Sequence, residues 1–326
     1  MTSDVSARAQ AWLEERRPEA RGLGQQLSEL IDDPESFVTV LRNGFERLSD
    51  AAYAAEQERV APGSGVVIGV RWPLVRAVGR QLRGALLQGS SASAISLAQR
   101  LVRSETREVR LFATVPLEAS LSDDPERTWQ VLRRLARAAT DWISVDAMAD
   151  LVALGIIAEP RRWAELEQLV YSTSTWERRL VGSTLARMPF QVPSSQRGML
   201  DGVRGLTLIE SMMGDAEEPV QKALGWALRE WTRVHAPGVA ALLGAEAAIA
   251  ARDDDGHRAW VIRDALSAQP ADVARDLRGR IASVHRRSGA PATSRAAAVA
   301  SEFVAALGGT ERVVQHQGER MPGARP

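Results

Sequence analysis

Residues 217 to 231 read EEPVQKALGWALREW, and their spacing decides the fold. At about 100° per residue, Val220, Ala223, Leu224, Ala227, Leu228 and Trp231 fall on one stripe, the core face of an amphipathic helix. Lys222, Trp226 and Arg229 fall together on the opposite side. A large aromatic flanked by two cations there points where a helix normally meets water, so it calls for a partner other than the core.

Two more segments have the same design. In DWISVDAMADLVALGII, residues 141 to 157, Val145, Met148, Leu151, Val152 and Ile156 form the apolar stripe, while Trp142 and Asp146 lie one turn apart on another face. In STWERRLVGSTLARMP, residues 174 to 189, Leu180, Val181, Thr184, Leu185 and Met188 point inward, and Arg179 shares the outer face with Gly182 and Ala186. Small residues beside an arginine suggest room for a bulky partner. Each of these two segments alone reads better as packing between helices with a solvated charge; three segments in succession argue for one shared surface.

Composition agrees with helices. With 326 residues and 45% apolar side chains the chain can bury a sizeable core, and with only 5 Phe and 2 Tyr, strand-forming aromatics are scarce. There is no cysteine, which excludes disulfides, thiolate catalysis and cysteine-held metal centres. The four histidines (His235, His257, His285 and His316) are scattered without ligand spacing, so neither a metal nor a cofactor is expected. The 41 basic residues balance 41 acidic ones, and Lys222 is the only lysine. A nucleic-acid site must therefore be local. The opening MTSDVSARAQ lacks the pattern of a secretory signal, and no run reaches the ~18 apolar residues of a membrane helix, so a cytoplasmic protein without membrane contact is expected.

Breaks recur near residues 34, 62, 91, 123, 160, 192, 215, 236 and 270, several with an Asp or Ser ahead of Pro or Glu, the start signal of a helix. Helix pairs at this spacing predict an all-α, right-handed helical-repeat solenoid, a HEAT-like or ARM-type superhelix with a concave groove. The expected parts are an N-terminal helical cap over 1–33, packed loosely, one repeat domain over 34–268, a helical extension over 269–308 and a disordered tail over 309–326. RDDDGH, residues 252 to 257, reads as a solvated turn. GVRWPLVR, residues 69 to 76, predicts a helix opening at Pro73, with Arg71 and Arg76 either bonding within the fold or touching phosphate.

GVRWPLVR, DWISVDAMADLV (141–152), TWERRLVGSTLARM (175–188) and VQKALGWALREW (220–231) together resemble the HEAT-like-repeat DNA alkylation-repair glycosylases of AlkD type, in that family's order and at about its spacing, over residues 35 to 268. The resemblance implies a basic concave groove holding duplex DNA that contains alkylated purines. It implies hydrolysis of the N-glycosidic bond of a cationic N3- or N7-alkylpurine without base flipping, which admits bulky adducts and so self-resistance to a DNA-alkylating natural product. It implies a catalytic role for Asp146, with Trp142 and Trp226 against the lesion's deoxyribose, and contact with the DNA backbone by Arg179. Lys222, Arg178 and Arg229 would add phosphate contacts. A monomer is expected. The balanced charge departs from the family's basic character, which keeps a second reading open: a non-catalytic helical-repeat module binding nucleic acid or a protein through the same face.

Overall fold

The computed structural model describes residues 2–303, and among these it is all-α, of helical-repeat type, with no strand and a single isolated bridge between Val66 and Thr106. The tail over 309–326, and the end of the extension before it, lie outside the described residues. Contacts divide the chain into two compact units, Met1–Ala158 and Glu159–Pro326. The boundary falls inside the span that the sequence reading treats as one domain.

The first unit holds α1 (Thr2–Ser28), α2 (Pro34–Arg47), α3 (Ala51–Val60), α4 (Trp72–Gln88), α5 (Ser91–Leu101), α6 (Arg107–Leu111), α7 (Thr114–Asp123), α8 (Pro125–Ala138) and α9 (Trp142–Ala158). The breaks are where the capping residues put them. Asp33 accepts from Ser36 N, Asp124 from Arg127 N and Ser90 from Ala92 N, with Pro34 and Pro125 opening their helices. α4 starts at Trp72 with Pro73 second, one residue ahead of expectation. The turn before it is anchored by the buried Glu108, whose carboxylate accepts from the backbone N–H groups of Ile68, Gly69 and Val70. Elements pack on near neighbours, α4 on α7, α5 on α7, and α7 and α8 on α9, which is how stacked repeats build a continuous core. The N-terminal segment corrects an expectation. α1 does not pack loosely: it lies along α4 with Ala20, Leu23 and Leu27 buried.

The second unit holds α10 (Trp163–Gln168), α11 (Thr175–Arg187), α12 (Gly202–Met212), α13 (Glu218–Asp253), α14 (Gly256–Ala265) and α15 (Ala271–Arg280), joined in part by 3-10 turns. α13 is bent at His235, where the break near 236 was expected, and the chain continues helically beyond it. Taken across its kink, this helix is long and apolar enough to cross a membrane by length and composition alone. Within the unit it packs against α11, α12, α14 and α15, with Val239, Leu243, Ala247 and Ala250 buried and Glu246 paired with Arg258. RDDDGH is a turn between α13 and α14, as expected, exposed at Arg252, Asp253 and Asp254 but buried from Asp255 onward. Asp254 adopts the left-handed conformation at φ 51°, and the buried Asp255 caps α14 through the N–H groups of His257 and Arg258 while its second oxygen holds Arg258 Nε at 2.9 Å. Burial pushes the Glu246 carboxyl up despite the opposing pull of Arg258.

Candidate nucleic-acid interface

α9 carries the first pair of candidate residues. Asp141 caps it, accepting from Ser144 N at 2.8 Å and Ser144 Oγ at 2.9 Å, so the helix opens on Trp142. Val145, Met148, Leu151, Val152 and Ile156 are buried as their spacing requires. Trp142 is 36% exposed and Asp146, one turn on, is half-buried. Asp150 continues the same face, a carboxylate that the sequence reading passed over although its i+4 spacing from Asp146 was visible. A cavity of about 600 Å³ in this unit is lined by Ser144, Ala147 and Met148. Those residues sit on the other side of α9 from Asp146, so the cavity is not the candidate site.

A basic row also belongs to the first unit. Arg76, Arg80 and Arg83 are exposed along α4 and line a groove of about 450 Å³ that Leu154 of α9 also borders. Arg83 pairs with Glu118 at 2.9 Å. Arg71 has a different use: its guanidinium holds Asp50 at 2.8 Å and lies 4.9 Å from the ring of Tyr53 and 5.7 Å from that of Trp12. Of the two roles left open for these arginines, Arg71 takes the internal one and Arg76 is on the surface. Arg80 and Arg83 went unremarked, though their i+4 and i+7 spacing from Arg76 was legible.

In the second unit α13 carries Lys222, Trp226 and Arg229. All six residues of its core stripe are fully buried. The Lys222 side chain is 57% exposed and bonds Glu218 at 2.7 Å, which lowers the Glu218 carboxyl below its usual range. Trp226 is half-buried, with the Arg187 guanidinium 5.9 Å from its ring centroid. Arg229 is not a free cation: it binds both the backbone oxygen and the carboxylate of Asp264. Gly225 makes that pairing feasible, since a Cβ there would lie 2.1 Å from Asp264 Oδ2.

The arginines of α11 correct the sequence reading most. Arg179 does not point outward: it is 6% exposed and donates to the Pro219 carbonyl at 2.7 Å. Gly182 and Ala186 are buried with it, and the bulky partner they admit is α13, because a Cβ on Gly182 would lie 2.8 Å from Ala223 Cβ and 3.0 Å from its backbone carbon. Arg178 is committed too, with Nε 2.7 Å from the buried Asp215 and a further bond to the Ser172 carbonyl. The structure therefore brings Lys222 and Trp226 together as an accessible pair, and gives Arg178, Arg179 and Arg229 internal partners.

A search of curated proteins finds no match. Among solved structures, one described as "Predicted DNA alkylation repair enzyme from Enterococcus faecalis" superposes with a TM-score of 0.50 at 17% identity, covering 60% of this chain and 89% of the other. At that identity the likeness concerns the fold. Residues 41–268 match the model of a family described as DNA alkylation repair enzyme. These residues make up well over half of the chain and include every candidate position described above, so the protein belongs to the DNA alkylation repair enzyme family.

Proposed function

We propose that the protein is a DNA glycosylase that hydrolyses the N-glycosidic bond of cationic N3- or N7-alkylated purines in duplex DNA, leaving an abasic site. The observation that supports this most is Asp146 one turn from the exposed Trp142 on α9, inside a chain whose family repairs alkylated DNA. The chemistry needs little more than such a pair. An alkylated purine already carries positive charge, so when the C1′–N bond breaks its electron pair returns to the base, which leaves neutral without a general acid. Positive charge then builds on the sugar. A fixed carboxylate at Asp146 would stabilise that oxocarbenium-like centre and orient the water that adds to C1′, an effect on the order of 100-fold or more. The electron-rich face of Trp142 would add roughly 0.5–2 kcal/mol of attraction to the same charge, and Trp226 offers an aromatic face of the same kind in the second unit.

In this reading the base need not be drawn into a pocket, the protein acts as a monomer, and adducts too large for a pocket remain substrates. Lys222 makes a phosphate contact in the second unit, and Arg178, Arg179 and Arg229 serve by holding the helices that present it. The zero net charge favours a second reading, a binding module without catalysis. Incubating the protein with methylated duplex, and then with duplex carrying a bulky N3 or N7 adduct, separates the two. Free alkylpurine from either substrate supports the glycosylase; duplex binding with no release from both supports the module.

A further inference from the structure

A surface feature of the second unit runs on from Trp226 to residues that the site above does not use. Phe190 ends the short 3-10 turn Met188–Phe190 that follows α11. Met188 and Pro189 are buried beneath it, yet Phe190 itself is 46% exposed. Its ring stands between two guanidiniums, Arg187 at 5.8 Å and Arg233 at 5.9 Å from the centroid. Arg187 is also 5.9 Å from the ring of Trp226. The four side chains form an alternating row of ring, cation, ring, cation.

The fold gains little from the exposure of Phe190 and Arg233. A phenyl ring left half in water forgoes the stabilisation that burial would give, and the Arg233 side chain is 55% exposed, with its ion pair to Glu230 running along its own helix. A DNA strand has the complementary alternation of anionic phosphate and apolar sugar or base. Guanidinium forks suit phosphate oxygens, and aromatic faces suit the sugar or base between them. In a chain of zero net charge such a local row is where a strand would be drawn in.

We propose that Trp226, Arg187, Phe190 and Arg233 form a strand-tracking surface for duplex DNA, with Phe190 as a positioning residue that packs on a sugar or base beyond the nucleotide at Trp226. The proposal rests on the reading of the protein as a DNA-binding one.

The test measures affinity for unmodified duplex across a salt series for the wild type, Phe190→Ala, Phe190→Trp and Arg233→Gln, beside base release from methylated duplex. Phe190→Ala is expected to bind roughly three- to tenfold more weakly with an unchanged salt slope, and Phe190→Trp to restore binding. Arg233→Gln is expected to flatten the slope by about 0.9. Because Phe190 and Arg233 are exposed, melting curves should match the wild type. Variants that bind as the wild type does, while the wild type releases bases, overturn the row alone. The expected variant effects without any base release overturn the glycosylase reading and leave the row standing. A wild type that binds no duplex overturns both.

Discussion

At Gly182 α11 passes close against α13, and the position has no room for a side chain: the nearest atoms to an added Cβ are Ala223 Cβ at 2.8 Å and the Ala223 backbone at 3.0 Å. Backbone cannot swing aside as a flexible side-chain tip can. Gly182→Ala should therefore cost about 1–3 kcal/mol, read as a lower denaturant midpoint with an unchanged m-value. Lys222 is the opposite case, an exposed cation whose lost pairing with Glu218 matters little to the fold. Lys222→Ala should leave the melting temperature nearly unchanged and, if Lys222 touches phosphate, flatten the salt dependence of duplex binding by about 0.9. The helical wheel distinguished these residues only in part. It placed Lys222 and the core stripe of α13 correctly because that helix has a wet side. It failed for Arg179 because α11 is buried continuously from Arg179 to Ala186, and periodicity cannot point to an outer face along a stretch that has none.

At the scale of the element, caps were legible because each one is local. Asp33, Ser90 and Asp124 sit next to the N–H groups they bind. Long-range pairs were not: Arg178 meets Asp215 from 37 residues away, and no spacing rule links them. Asp50 combines the two kinds, capping α3 through the N–H groups of Ala52 and Tyr53 and gripping Arg71 at the start of α4. Burial raises its carboxyl, but the Tyr53 N–H, the Arg71 guanidinium and the Ala52 N–H outweigh burial and hold it below the usual range. A depressed carboxyl stabilises the fold above its unfolded value, and that contribution is lost as the pH falls through the folded one. Asp50→Asn keeps a capping side chain but loses the charge. It should cost on the order of 1–2 kcal/mol at neutral pH, and chemical denaturation should show its gap from the wild type closing below about pH 4.

For the molecule as a whole, composition and break spacing were enough to read an all-α helical-repeat chain, and the quoted motifs were enough to indicate the family that matches residues 41–268. The boundary at Ala158 and Glu159 was not legible, because the turn there, AEPRRW, is one more short polar break with a proline, like others inside each unit. Nor did the sequence show that the segment after 268 is tied to the rest of its unit. Arg263 binds the carbonyls of Ile281 and Val284 at 2.6 Å each, and the N–H of Thr293 meets the Gly214 carbonyl at 2.9 Å, next to the start of α13. With a net charge of zero, the affinity for DNA depends on local surfaces, so catalysis gives a sharper test than binding. The deciding measurement compares the wild type with Asp146→Asn for release of free 7-methylguanine and 3-methyladenine from methylated duplex, with duplex affinity measured alongside. The account predicts release by the wild type and a loss on the order of 100-fold or more in the variant at unchanged affinity. Equal release by both proteins would contradict the role of Asp146, and no release by the wild type from these or bulkier adducts would contradict the glycosylase.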